Sequence, residues 1–168
     1  ETTAHAVSAI SKELTAAVNL DEVLNVVVKK LSQTFACDVA ILLPDNQVLN
    51  VRAATEGLVI DPNEQAVALW AFQNNQTAGR GTETLPAAPI RFLPLKTSHG
   101  VVGVLGVKLQ NQTHYLSSED RLLLENFANL AALAIERASF AEQASLAETL
   151  RTNERLQSAL LNSISHEL

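Results

Sequence analysis

His166 stands beside Glu167 near the end of the sequence, an imidazole with a carboxylate as its neighbour. A neutral imidazole is nucleophilic near pH 7, and a neighbouring carboxylate favours the tautomer that exposes the attacking nitrogen. The other histidines, His5, His99 and His114, are far apart and show none of the spacings of a metal site, so they read as surface residues. Cys37 is the sole cysteine. With Asp38 as its neighbour, at what reads as a strand start, it is expected to be a buried, inert thiol rather than an attachment or redox site. Gly79-Arg80-Gly81-Thr82 has the glycines of a phosphate-binding loop but lacks its lysine and spacing, and the segment before it reads as helix. Glycine there serves tight turns of a plain loop. A milder functional reading makes this loop the lid of a ligand pocket, with Trp70, Arg80, Thr82 and Arg91 nearby. The sequence offers no Ser-His-Asp arrangement and no glycosidase-like pair of carboxylates.

The elements that must hold these residues follow from changes of hydrophobic period. Val7, Ile10, Leu14 and Ala17 form one apolar stripe of a helix over residues 3–18. Asn19 with Glu22 has the form of a capping box. The helix it opens carries Leu20, Val23, Leu24, Val27, Leu31 and Phe35 on one face. The spacing then becomes that of a strand at Cys37, Val39, Ile41 and Leu43. Pro44-Asp45-Asn46 is turn chemistry, and residues 47–54 return as the second strand of a hairpin. Asp61, Pro62 and Glu64 start another helix, which reaches about Asn74. Residues 76–89 read as a loop rich in Gly, Thr and Pro. Two strands follow, over residues 90–96 and 100–109. The second is apolar or glycine on both faces, so it is expected to be central and covered on both sides. From Ser117, capped with Asp120, no proline or glycine interrupts a helix to the end of the sequence. Leu123, Phe127, Leu130 and Ala134 are its expected core stripe. Farther along, Leu146, Leu150, Asn153, Gln157, Leu160 and Ile164 keep the spacing of a coiled-coil seam with two polar positions.

Composition narrows the function classes. Of 168 residues, 47% are hydrophobic and 18% charged, which is enough for a core and argues against disorder. A net charge of −6 lacks the basic face that nucleic-acid binding needs. No apolar run is long enough to span a bilayer. One cysteine suits a reducing compartment, and the chain reads as cytoplasmic. It begins with Glu1 rather than Met, and is expected to be a piece of a longer protein.

The order helix, helix, hairpin, helix, loop, two strands, long helix is an α+β plan with an antiparallel sheet and helices from both chain ends on one face. It resembles a GAF domain, a sensor module related to PAS domains, over residues 19–137. The last residues, Leu161-Asn162-Ser163-Ile164-Ser165-His166-Glu167-Leu168, resemble the H-box that opens the dimerisation domain of histidine kinases. In that family the histidine takes the γ-phosphate of ATP and the acid beside it accepts the proton. Trp70-Ala71-Phe72, the run Ala78 to Pro86, Leu93-Pro94-Leu95-Lys96 and the Leu-Leu-x-x-Phe of Leu123 to Phe127 resemble the potassium-responsive Kdp sensor kinases. The resemblance implies a division into an N-terminal signalling helix (1–18), a GAF domain (19–137), a coiled-coil signalling helix (138–162) and the truncated start of the phosphoacceptor domain (163–168). It implies a parent in the bacterial inner membrane that passes phosphate to a response regulator controlling potassium uptake. ATP and magnesium belong to a kinase domain this chain lacks, and the chain itself is expected to need no cofactor. The expected partner is a second copy, joined through Val7, Ile10, Leu14 and the seam from Leu146 to Ile164. Two other readings stay open: a GAF module that binds a small molecule, and a dimerisation scaffold with a filled pocket.

Overall fold

Asn19 divides the first two helices, α1 (Thr2–Ala16) and α2 (Leu20–Phe35), in a computed structural model that describes residues 2–111 and 115–167. His114 and Leu168 lie outside the described residues, and of His5 only the backbone is described. The Glu22 N–H donates to Asn19 Oδ1 at 2.9 Å, as a cap requires. The reciprocal arm is displaced: Glu22 Oε2 accepts from the Val18 N–H at 2.8 Å rather than from Asn19. Strands β1 (Cys37–Asp45) and β2 (Val48–Ala54) come next, then helix α3 (Pro62–Asn74). The α3 start has both arms of its box, with Glu64 N–H to Asp61 Oδ1 at 2.7 Å and Asp61 N–H to Glu64 Oε2 at 3.1 Å. Strands β3 (Ala78–Gly79), β4 (Arg91–Thr97) and β5 (Gly100–Leu109) precede a single long helix, α4 (Ser118–Glu167).

The strands form one antiparallel sheet in the order β2-β1-β5-β4-β3, so β5 is central as its two apolar faces required. The β1–β2 turn falls one residue later than Pro44-Asp45-Asn46, on Asn46 and Gln47, both at positive φ (50° and 69°). A two-residue turn of that kind matches the twist of the flanking strands. Pro44 remains in β1 because pairing with β5 ends at Leu42, where a missing N–H leaves no ladder bond unmade. The short edge strand β3 lies inside the stretch read as loop. Two residues are too few to show a period.

Alternation along the strands feeds two cores. On one face Val39, Ile41, Leu95, Leu105 and Val107 are buried under α1, α2 and α4. On the other, Ala40, Leu42, Phe92 and Val104 pack with Ala68 and Ala71 of α3. Gly106 makes room there, since a Cβ on it would sit 3.0 Å from the Phe92 ring. Two expectations need correction. Ile10 and Leu14 are 1% and 8% exposed, so the α1 stripe finds its partner within the chain, against α2 and α4, and is not left for a second copy. Lys30 Nζ meets Glu13 Oε1 at 2.7 Å beside that contact. The core face of α4 is centred on Leu124, Phe127, Ala131 and Ile135, with Leu123, Leu130 and Ala134 on its flank. Alanines at 128, 131 and 132 let the helix lie close to its neighbours, and the buried face rotates toward them.

Candidate functional site

Two separate places bring together residues singled out for chemistry, and α4 joins them. Its N-terminal half is part of the core as far as Ile135 and Glu136. Beyond, Leu146, Leu150, Leu160 and Ile164 are all more than half exposed. The seam read from the sequence is therefore uncovered in a single chain. His166 and Glu167 occupy the last turn of the helix, exposed. From Ile135 to His166 the helix advances roughly 45 Å at ~1.5 Å per residue.

The second place is a cavity of about 360 Å³ under the first turn of α4. Arg80 and Gly81 border it from the loop after β3, Arg91 from β4, Val107 and Leu109 from β5, and Tyr115, Leu116 and Arg121 from the entry into α4. Register explains how the strand residues meet: Arg91 pairs with Val107, so both side chains project to the α4 side of the sheet. Ser117 fixes the helix start, its Oγ accepting from the Asp120 N–H at 3.1 Å. The loop is held by Arg91 Nη1, which donates to the Gly81 carbonyl at 3.1 Å, and by the Arg80 guanidinium over the Tyr115 ring at 4.9 Å. Burial first, and then the neighbouring Arg121, push the Arg91 guanidinium below its ordinary value, while Glu125 pulls it back up.

Of the pocket residues expected from sequence, the structure brings Arg80 and Arg91 together and parts them from the others. Trp70 belongs to α3 and packs on the opposite face of the sheet. The Thr82 hydroxyl is used within its own loop, 2.6 Å from the Gly79 carbonyl oxygen and 2.7 Å from that of Thr84. Tyr115 and Arg121 were missed. No local pattern ties them to a loop some thirty residues earlier, and only sheet register makes the connection.

Among the described residues, no group of histidine, cysteine and acidic side chains is arranged to hold a metal, and no helix is long and apolar enough to cross a membrane. Cys37 is buried at the start of β1, its thiol donating weakly to the Leu31 carbonyl at 3.7 Å. Burial, and secondarily Asp38, push it up to about 12. His99 is exposed as expected, yet its Nδ1 lies 3.1 Å from Oε1 of the buried Glu136.

A family model described as GAF domain matches residues 19–137. The sensor protein KdpD of Escherichia coli is 34% identical over 139 residues, 82% of this chain and 15% of that protein. KdpD of Clostridium acetobutylicum is 28% identical over 167 residues, 95% of this chain and 18% of that protein. The chain thus spans under a fifth of the length of these relatives. The crystal structure of the GAF domain of the potassium sensor histidine kinase KdpD from E. coli superposes with a TM-score of 0.72. It is 30% identical, and the match covers 84% of this chain and 98% of that one.

Proposed function

The chain belongs to the GAF domain family, and on that premise we propose that it is the regulatory segment of a sensor histidine kinase of the KdpD kind. In this reading the GAF core sets the position of α4, and α4 delivers that position to His166. His166 is the phosphoacceptor: its ring nitrogen takes the γ-phosphoryl group of ATP held by a kinase domain elsewhere in the parent. Glu167 accepts the proton, and the phosphoryl group passes to a response regulator that governs potassium uptake.

The observation that carries this reading is the continuity of α4. Packed residues such as Phe127 and Ile135 and the exposed His166 lie on one uninterrupted helix. A rigid helix of that length converts a small shift in the core into a displacement at its far end, which is what a regulatory linker requires. The exposed seam supplies the second half of the argument, because two such helices cover each other's leucines in a parallel pair.

The test is His166→Gln in the full-length parent kinase incubated with labelled ATP. Glutamine keeps a polar, helix-compatible side chain without a nucleophilic ring nitrogen. Acid-labile phosphate should be lost while the circular dichroism of the GAF domain is unchanged. Labelling that persists on the variant would place the phosphoacceptor elsewhere and overturn the assignment.

A further inference from the structure

The cavity under the first turn of α4 contains more positive charge than its own contacts use. Arg91 gives one N–H to the Gly81 carbonyl, and Arg80 lies against Tyr115. The Nε atoms of both arginines are buried and have no hydrogen-bond partner among the described residues. A pair of arginines serving only to brace a loop would leave two buried donors unmet, an arrangement that proteins avoid. Arg121 reaches the same cavity from α4, close enough for its charge to oppose that of Arg91. Glu125 acts on Arg91 with the opposite sign but does not border the cavity. The remaining wall is apolar: Val107, Leu109 and Leu116. At about 360 Å³ the space lies in the lower range of small-molecule sites.

We propose that this cavity binds a small organic oxyanion, with a phosphate or carboxylate head among Arg80, Arg91 and Arg121 and an apolar body against Val107, Leu109 and Leu116. Guanidinium groups suit such a head because their planar fork of donors matches two oxygens at once. The bound anion would meet the unused Nε donors and screen the arginines from one another. It would also join the loop at Gly81 to the start of α4, the helix on which the kinase reading depends. The site itself stands on this chain alone, so a failure at His166 leaves it intact and its own failure leaves the phosphoacceptor assignment intact.

The experiment is an NMR titration of the isotope-labelled chain with phenyl phosphate, benzoate, phenol and inorganic phosphate. At least one of the two organic anions should shift the backbone amides of Gly81, Leu109 and Leu116 in a saturable way, leaving that of Leu150 unmoved. Phenol and inorganic phosphate, which each carry one half of the chemistry, should bind at least tenfold more weakly. Arg121→Gln, on the exposed face of α4, should weaken binding several-fold with the folded spectrum retained, and Arg80→Gln combined with it should weaken binding at least tenfold. Phenol binding as tightly as phenyl phosphate would mark the cavity as merely apolar. Neither organic anion acting at millimolar concentration, or unchanged affinity in the double variant, would overturn the proposal.

Discussion

The Thr97 hydroxyl donates to Oε2 of Glu136 at 2.5 Å, tying the tip of the β4–β5 hairpin to α4 at the point where that helix leaves the core. His99 approaches the other carboxylate oxygen at 3.1 Å, and its own N–H donates to the Thr97 hydroxyl at 3.1 Å. One carboxylate thereby anchors both sides of a tight turn. Among the described residues of α4 it is the one buried charge, on a helix whose remaining core face is apolar.

This contact carries a pH signature. The Thr97 hydrogen bond, and after it His99, hold the Glu136 carboxyl below its ordinary 4.5, although burial opposes them. A depressed acid contributes stability above its unfolded value and loses it as pH falls through the folded one. Thermal melts of the chain should therefore show a Glu136→Gln penalty at pH 7 that shrinks below about pH 4.5 and vanishes once the wild-type carboxyl is protonated. A penalty independent of pH would mean that the carboxylate charge contributes nothing to the anchor.

Ile10 distinguishes a core helix from an interface helix. It is 1% exposed and sits in the same core as Leu24 and Phe127. Truncating a fully buried isoleucine leaves a cavity and costs about 2 to 5 kcal/mol. Ile10→Ala should lower the urea midpoint of the chain by a corresponding amount at every protein concentration. If the loss grew on dilution, the residue would be stabilising an association and not the fold of one chain.

Cys37 should be silent in the native protein. Its thiol is buried, donates toward the Leu31 carbonyl and is pushed up to about 12, so at neutral pH almost none is thiolate. A thiol-specific chromogenic reagent should react with it only after denaturation, and the purified chain should be colourless. Rapid labelling of the folded chain would contradict both the burial and the inert assignment.

Much of this architecture was legible in the sequence because each element has its own period and punctuation. Asp61-Pro62-x-Glu64 announces the start of α3, and the glycines and valines of residues 100–109 announce a central strand. The α4 core face keeps Phe127, as the spacing predicts, but takes Leu124 in place of Leu123, because large residues lie on both positions and small alanines decide the contact. The arginine cavity was half visible. Arg80 and Arg91 belong to one neighbourhood in sequence, but Arg121 and Tyr115 arrive only through the register of β4 on β5 and the closure of α4 over it. Long-range convergence of that kind leaves no trace in local spacing. The Thr97–Glu136 anchor was invisible for the same reason.

On the proposed reading a signal travels along α4. Leu146, Leu150, Leu160 and Ile164 form an exposed seam interrupted by Asn153 and Gln157, the pattern of a two-stranded coil of modest affinity. In such a pair the rotational phase of His166 relative to the GAF core is fixed by the number of residues between them. Each inserted residue rotates that phase by about 100°. Seven insertions near Glu148 bring the seam back to within ~20° of its original direction, whereas three or four shift it and wind the coil differently. If the parent is the kinase proposed above, the seven-residue insertion in it should therefore keep stimulus-dependent phosphotransfer to the response regulator. Three- and four-residue insertions should lock activity on or off, because they turn His166 toward or away from the kinase domain. Leu150→Glu offers an independent check: a charge in the seam should weaken self-association of the chain in light scattering while the chain stays folded, since Leu150 is 56% exposed in a single chain. If all insertions behave alike and Leu150→Glu leaves association unchanged, the distal half of α4 is a tether, and the signal must reach His166 by another route.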